Sequence, residues 1–173
     1  AFGNEIEISC KDANTELKNN IVGCAVMKFS YNPEHYPSEF YCFDSTLMPA
    51  LLSENKVHGK KLKYNNQGSV TKVSFVGTSG GAILNLNGIA SISIKRDERG
   101  NGVEKRYFGL EGELKAIEQG SLKGVFINKH KFDERGNFIE ESYFGENEQK
   151  IHIFDEIHKA TLKYDRHGRV TEK

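Results

Sequence analysis

Short runs of alternating apolar and polar residues fill the chain from Met27 onward, each broken by a cluster rich in Gly, Asn and Asp. Period-two alternation over four to eight residues between such breaks predicts β-strands rather than helices. The stretch "KFDERGNFIEESYFG", Lys131 to Gly145, shows the pattern whole. Asp133 stands where a side-chain oxygen accepts backbone N–H groups at the first turn position, and Gly136 supplies the positive φ that L-residues avoid. This is the chemistry of a type I turn closed by a glycine bulge, so the phrase predicts a β-hairpin.

The same phrase recurs as "KRDERGNGVEKRYFG" from Lys95, "KYNNQGSVTKVSFVG" from Lys63, "SYNPEHYPSEFYCFD" from Ser30 and, cut short, "KYDRHGRVTEK" from Lys163. Asp97 with Gly100 and Asp165 with Gly168 repeat the turn spacing; Asn65 with Gly68 is its near equivalent, and His35 stands where the first copy lacks the glycine. Alternation places Phe29, Leu62, Ile94, His130 and Leu162 on one face with Tyr31, Tyr64, Phe132 and Tyr164, while the intervening lysines point the other way. Departing strands end in Cys42-Phe43, Phe75-Val76, Tyr107-Phe108 and Tyr143-Phe144. One member of each pair is expected inside and its neighbour outward.

These repeats predict a mainly β fold: tandem antiparallel β-hairpin units of 32 to 36 residues, stacked as a solenoid-like or rolled sheet, with little helix. Residues 27–173 divide into units at about 27–61, 62–93, 94–129, 130–161 and a partial 162–173. Residues 1–26 read as the end of a preceding unit followed by an irregular insertion. Phe2 and Gly3 match the endings at Phe108-Gly109 and Phe144-Gly145, so the chain reads as a window from a longer array. "CKDANTELKNN" is the best helix candidate, with Asp12 or Asn14 as its cap. Between hairpins the connectors align without a gap, Ile83 with Ile151, Ile89 with Ile157 and Ala90 with His158. "LEGELKAIEQG" has some helical propensity and reads as a turn with room for one helical turn, bounded by Gly112 and Gly120, and "GTSGG" reads as a flexible turn in which Gly80→Ala is expected to be mild.

Composition narrows the function classes. Apolar residues, counting Ala, Val, Ile, Leu, Met, Phe, Trp, Tyr and Cys, make up 37% of the 173 and charged residues 28%, enough to fold and too polar for helices that span a membrane. Lys plus Arg equals Asp plus Glu at 24 each, interleaved along the chain, which is not the electrostatic footprint of a nucleic-acid binder. Cys10, Cys24 and Cys42 are an odd set, so at most one intramolecular disulfide forms, and small apolar core side chains are the favoured reading.

The phrases "KYDRHGRVTEK" and "KFDERGNFIEESYF" resemble the tyrosine-aspartate repeats of Rhs-type bacterial surface and toxin proteins, whose units carry Y-D-x-x-G-R/N motifs. The longer unit with its YF-G ending is similar to a long-period relative of those repeats. The resemblance covers about Met27 to Lys173; it departs at Tyr64-Asn65 and Arg96-Asp97. It implies β-hairpin repeats, a bacterial secreted or surface setting, and neighbouring repeats of a parent chain as partners.

No constellation for catalysis stands out. The densest candidate, "HIFDEIH", offers His152, Asp155, Glu156 and His158 as metal ligands on a helix. The repeat alignment puts them in strand or turn instead and sends the two histidines to different places. His35, His58, His130 and His167 are read as unrelated in repeat position, and His130 as a satisfied core histidine. Glu140-Glu141 and Asp133-Glu134 lie on hairpin strands and turns, where solvated surface is the simpler reading than acid–base work. "GTSGG" lacks the strand-to-helix setting of a nucleophile elbow, and Ala82 stands where a phosphate loop needs lysine. The expectation is a non-catalytic structural or binding module without cofactor. It presents hairpin faces to a protein or glycan, with the outward members of Tyr107-Phe108 and Tyr143-Phe144 as contact residues. The alternatives are a scaffold beside an enzyme or toxin domain, or a hydrolase whose site is hidden.

Overall fold

The computed structural model describes residues 6–153 and 156–172. Ten antiparallel strands form one sheet in chain order: β1 Ile6–Ser9, β2 Val26–Tyr31, β3 Pro37–Phe43, β4 Gly59–Tyr64, β5 Val70–Val76, β6 Ser91–Arg96, β7 Gly102–Phe108, β8 Ile127–Phe132, β9 Phe138–Phe144 and β10 Lys159–Thr161. β11 Lys163–Tyr164 and β12 Val170–Glu172 form a separate two-stranded hairpin. Among the described residues there is no α-helix, and no helix long and apolar enough to cross a membrane.

The hairpin turns follow from their first and fourth residues. Asn65, Asp97, Asp133 and Asp165 each accept the N–H of the glycine three residues on, at 3.0 to 3.1 Å. Their side-chain Oδ1 also takes the N–H groups two and four residues on, as Asp97 does from Arg99 at 3.0 Å and Asn101 at 2.8 Å. Gly68, Gly100, Gly136 and Gly168 all carry positive φ, from 74° to 86°. His35 keeps the same turn in the first copy, at φ 65°, with its N–H on Asn32 O at 2.9 Å.

The other end of the sheet repeats this device where the sequence hides it. Asp12-x-x-Thr15 and Asp44-x-x-Leu47 form the same turn, with Thr15 and Leu47 at φ 68° and 63°. The expected helix in "CKDANTELKNN" is therefore absent: Asp12 Oδ1 takes the N–H of Asn14 at 2.8 Å and Glu16 at 3.1 Å, and the chain turns back to bridge Lys11 with Leu17. "GTSGG" is equally a built turn, with Gly80 at φ 83°, so the mild Gly80→Ala expectation is corrected. Space around Gly80 is open, but an L-residue meets the same backbone penalty there as at Gly136. Replacing Leu47, which is 55% exposed, by glycine is expected to raise stability by about 0.5–1 kcal/mol, whereas Gly100→Val is expected to cost about 1 kcal/mol or more. Chemical denaturation of the two variants checks the opposite signs.

Register ties successive hairpins together with a constant slip. Inside a hairpin Phe29 faces Phe40, but across to the next hairpin Phe40 faces Lys60, the unit counterpart of Met27. Each hairpin is thus shifted by two residues against the last, and the ladder stops short of the tips. Side chains close the gap: Tyr64 Oη donates to Pro37 O at 2.6 Å, Arg96 Nε to Val70 O at 2.8 Å and Tyr164 Oη to Phe138 O at 2.8 Å. Phe132 occupies that position in the remaining unit and has no donor. His130 Nδ1 meets Gly102 O at 3.1 Å instead, which explains a histidine on an otherwise apolar face.

The core runs across the sheet beside the connectors. Cys42, Phe75, Tyr107 and Tyr143 hold one position in successive units, and Cys24, Val57, Ile89 and Val125 hold the next; all are under a tenth exposed. Connectors lie over them because Ala50, Ile83, Lys115 and Ile151 donate backbone N–H to Cys42 O, Phe75 O, Tyr107 O and Tyr143 O at 2.9 to 3.3 Å. Cys24 and Cys42 are joined as a disulfide with Cα atoms 5.4 Å apart, where sequence reading favoured apolar thiols. Cys10, whose C=O takes the Lys18 N–H as Cys42 O takes that of Ala50, is the unit counterpart of Cys42 and stays free; Lys11-Asp12 therefore holds the place of Phe108-Gly109 that sequence matching gave to Phe2-Gly3, which lie outside the described residues.

Candidate partner-binding face

Strand pleating sends the two residues of each terminal pair to opposite faces. Tyr107 and Tyr143 are 6% and 4% exposed within the core, while Phe108 and Phe144 stand half-buried on the far face. Phe43 shares their unit position. Backbone pairing sets Phe43 against Val26, Phe108 against Ser91 and Phe144 against Ile127.

Further rings join them from the ends of the connectors. His58 lies edge-on to Phe43 at 5.2 Å between ring centroids, and His158 edge-on to Phe144 at 5.5 Å. Each histidine is held by one nitrogen: His58 Nδ1 meets Ala50 O and His158 Nδ1 meets Ile151 O, both at 3.1 Å. The two are therefore structural counterparts, which corrects the reading of His58 as unrelated. Half-buried Phe126 holds the same position in its unit: its N–H donates to Phe144 O as that of His58 does to Val76 O. Lysines cover the phenyl faces, Lys28 over Phe43 at 5.5 Å and Lys129 over Phe144 at 4.7 Å, within cation–π range.

An ionic network borders this face. Glu104 accepts from Arg106 Nε at 2.6 Å and lies 3.6 Å from Lys129 Nζ, and Glu148 accepts from Arg106 Nη2 at 2.5 Å and from Lys129 Nζ at 2.9 Å. The Lys129 and Arg106 hydrogen bonds hold the Glu148 carboxyl down to about 2. Glu148 reaches them from a turn position at φ 58°, a conformation its glycine-bearing counterparts adopt without strain.

The remaining sequence candidates fall elsewhere. Asp97, Asp133 and Asp165 are turn caps, and their hydrogen bonds lower each carboxyl's pKa. Asn101 and Asn137 side chains lead that lowering at Asp97 and Asp133, and the Arg169 backbone N–H leads it at Asp165. Glu140 sits between Lys131 and Lys159 at 2.9 and 3.5 Å, a surface ion-pair arrangement. His152 and His158 are not dispersed as expected: their rings meet edge-on at 6.3 Å. Asp155 lies outside the described residues. Among the described residues no three His, Cys, Asp or Glu side chains gather as a metal site.

Sequence reading missed His58, Phe126, Lys129 and Glu148. For His58 a signal existed: "VHGKKLKY" from Val57 and "IHKATLKY" from Ile157 align without a gap, pairing His58 with His158. Nothing local marks Glu148, because its role depends on strands β7 and β8 far away in sequence. No family model matches the chain, and no curated protein shows significant similarity to it.

Proposed function

We propose that the chain is a non-catalytic binding module, a run of stacked hairpin units of the Rhs-like type in a bacterial secreted or surface protein, which presents its aromatic and lysine-bearing face to a protein or glycan. The observation that carries this reading is the recurrence of half-exposed rings at one unit position in three hairpins, Phe43, Phe108 and Phe144, on the face turned away from the core, with buried Val76 holding that position in the remaining one. Aromatic side chains, Phe among them, are enriched at protein interfaces, and a cation over a ring adds an electrostatic attraction to it. The units follow one another as a solenoid-like or rolled sheet, so partner contacts repeat along it and add by multivalency. The Cys24–Cys42 disulfide supports an oxidising compartment.

Phe108→Ala and Phe144→Ala are expected to weaken capture of a cell-envelope polysaccharide, or of a surface-protein fragment found by array screening, by about 1 kcal/mol or more each. Folding should change little. Undiminished capture by the double variant, measured by biolayer interferometry, overturns the proposed contact face.

A further inference from the structure

Asn128 breaks the pattern of its repeat position on the opposite face of the sheet. Its counterparts across the other hairpins are Met27, Lys60, Ile92 and Ala160, and none of these is a carboxamide. Asn128 is 2% exposed. Its Nδ2 donates to Glu141 Oε1 at 2.6 Å, while its Oδ1 is buried with no hydrogen-bond partner. A buried amide carbonyl left unpaired is uncommon in native interiors and asks for a role.

Its neighbours supply one. On β7 the residue directly opposite Asn128 is Lys105, so both side chains leave the sheet on one face with Cβ atoms about 5 Å apart. Among the described residues Lys105 has no ion pair or hydrogen bond through its side chain, although the chain's other charges pair freely nearby. On β9 the residue opposite Asn128 is Tyr143, and Tyr107 lies against the amide from β7; both rings are buried and limit water at the site. Glu141 is held in turn by His130, with Nε2 at 3.5 Å. Register thus sets an amine, a carboxamide and a carboxylate on one face of three adjacent strands, the carboxamide already bonded to the carboxylate and the Lys105 amine within a side-chain rotation of both. No other unit repeats the set, since the counterparts of the Lys105–Asn128 pair are Phe40 with Lys60, Val73 with Ile92 and Glu141 with Ala160.

We propose that Lys105 and Asn128 are the reactants of a self-catalysed isopeptide bond, with Glu141 carrying the proton. After the Lys105 ammonium has given one proton to water, the Nζ lone pair attacks Asn128 Cγ, forming the new C–N bond and moving the carbonyl π pair onto Oδ1. Glu141 accepts the proton that Nζ gives up and delivers it to Nδ2, the atom it already contacts. The tetrahedral species then collapses, the Cγ–Nδ2 bond breaks and ammonia leaves. Amine plus carboxamide become secondary amide plus ammonia, so no oxidant or cofactor is needed, and Glu141 ends as the carboxylate it began as. The bond falls at the junction between two hairpins, where only three residue pairs join β7 to β8 against six inside the β8–β9 hairpin. A covalent link there ties neighbouring units together at the shorter of the two ladders.

The test is the intact mass of the purified full chain, reduced and denatured, followed by a tryptic map. The expected wild-type mass is lower than the sequence mass by one ammonia, with Lys105 uncleaved by trypsin and its peptide branched to the one containing Asn128. Lys105→Arg and Glu141→Gln, which keep size and hydrogen bonding for folding, are each expected at full mass. A wild-type chain at full mass with Lys105 cleaved overturns the proposal. So does an ammonia loss that maps to Asn87-Gly88 or Asn101-Gly102, where an asparagine before glycine cyclises without any lysine, or one that persists in either variant.

Discussion

Cys42→Ala is expected to lower the unfolding free energy by about 3 kcal/mol, the entropy a cross-link removes from an unfolded loop of this size. Cys24 and Cys42 are 18 residues apart and both fully buried, so the bond closes the first complete hairpin, β2 with β3. Cys24→Ala should cost the same, and the double variant little more than either single one, because one bond is lost in all three. Reductant should bring the wild-type urea midpoint down towards that of the variants. A wild-type midpoint indifferent to reductant would show that the pair is not bonded in solution, and would remove the compartment argument drawn from it.

Tyr107→Ala and Tyr143→Ala are expected to cost about 3–5 kcal/mol each, as large core truncations that leave a cavity beneath a fixed connector. Phe108→Ala and Phe144→Ala, one residue along and on the other face, should cost well under half of that. The same burial gives a pH signature. Removal from water, with the Glu141 charge adding to it, pushes both tyrosine hydroxyls up to about 12. A pKa raised by folding favours the folded state below the unfolded value of about 10, and that advantage is lost as pH rises to about 12. Spectrophotometric titration should find two tyrosines ionising last, with stability falling through the same window. Equal costs at Tyr107 and Phe108 would mean that the two faces are misassigned.

The hairpins were legible because each needs a residue that bonds its own backbone and one that tolerates positive φ, and Asp133 with Gly136 announces both. The turns at Thr15, Leu47 and Glu148 were not, since those residues take positive φ without advertising it. Asp12 misled for a physical reason. A helix cap and a turn cap use the same side-chain oxygen on nearby N–H groups, and only the chain beyond tells them apart. Inward and outward positions followed from alternation, as Tyr107 and Phe108 show. The Lys129–Glu148 pair and the cluster around Asn128 depend on inter-hairpin register. A two-residue slip between hairpins leaves no trace in the composition of either strand.

Amide hydrogen exchange followed by NMR tests most directly that the repeated phrase encodes one hairpin unit used again and again. The backbone N–H groups of Cys42, Phe75, Tyr107 and Tyr143 donate to His58 O, Ala90 O, Phe126 O and His158 O, at the same point of each unit. All four should rank among the slowest amides to exchange, with His58, Ala90 and Phe126 close behind, so that protection recurs every 32 to 36 residues. Protection confined to one contiguous block, or peaks that ignore the unit spacing, would contradict the account.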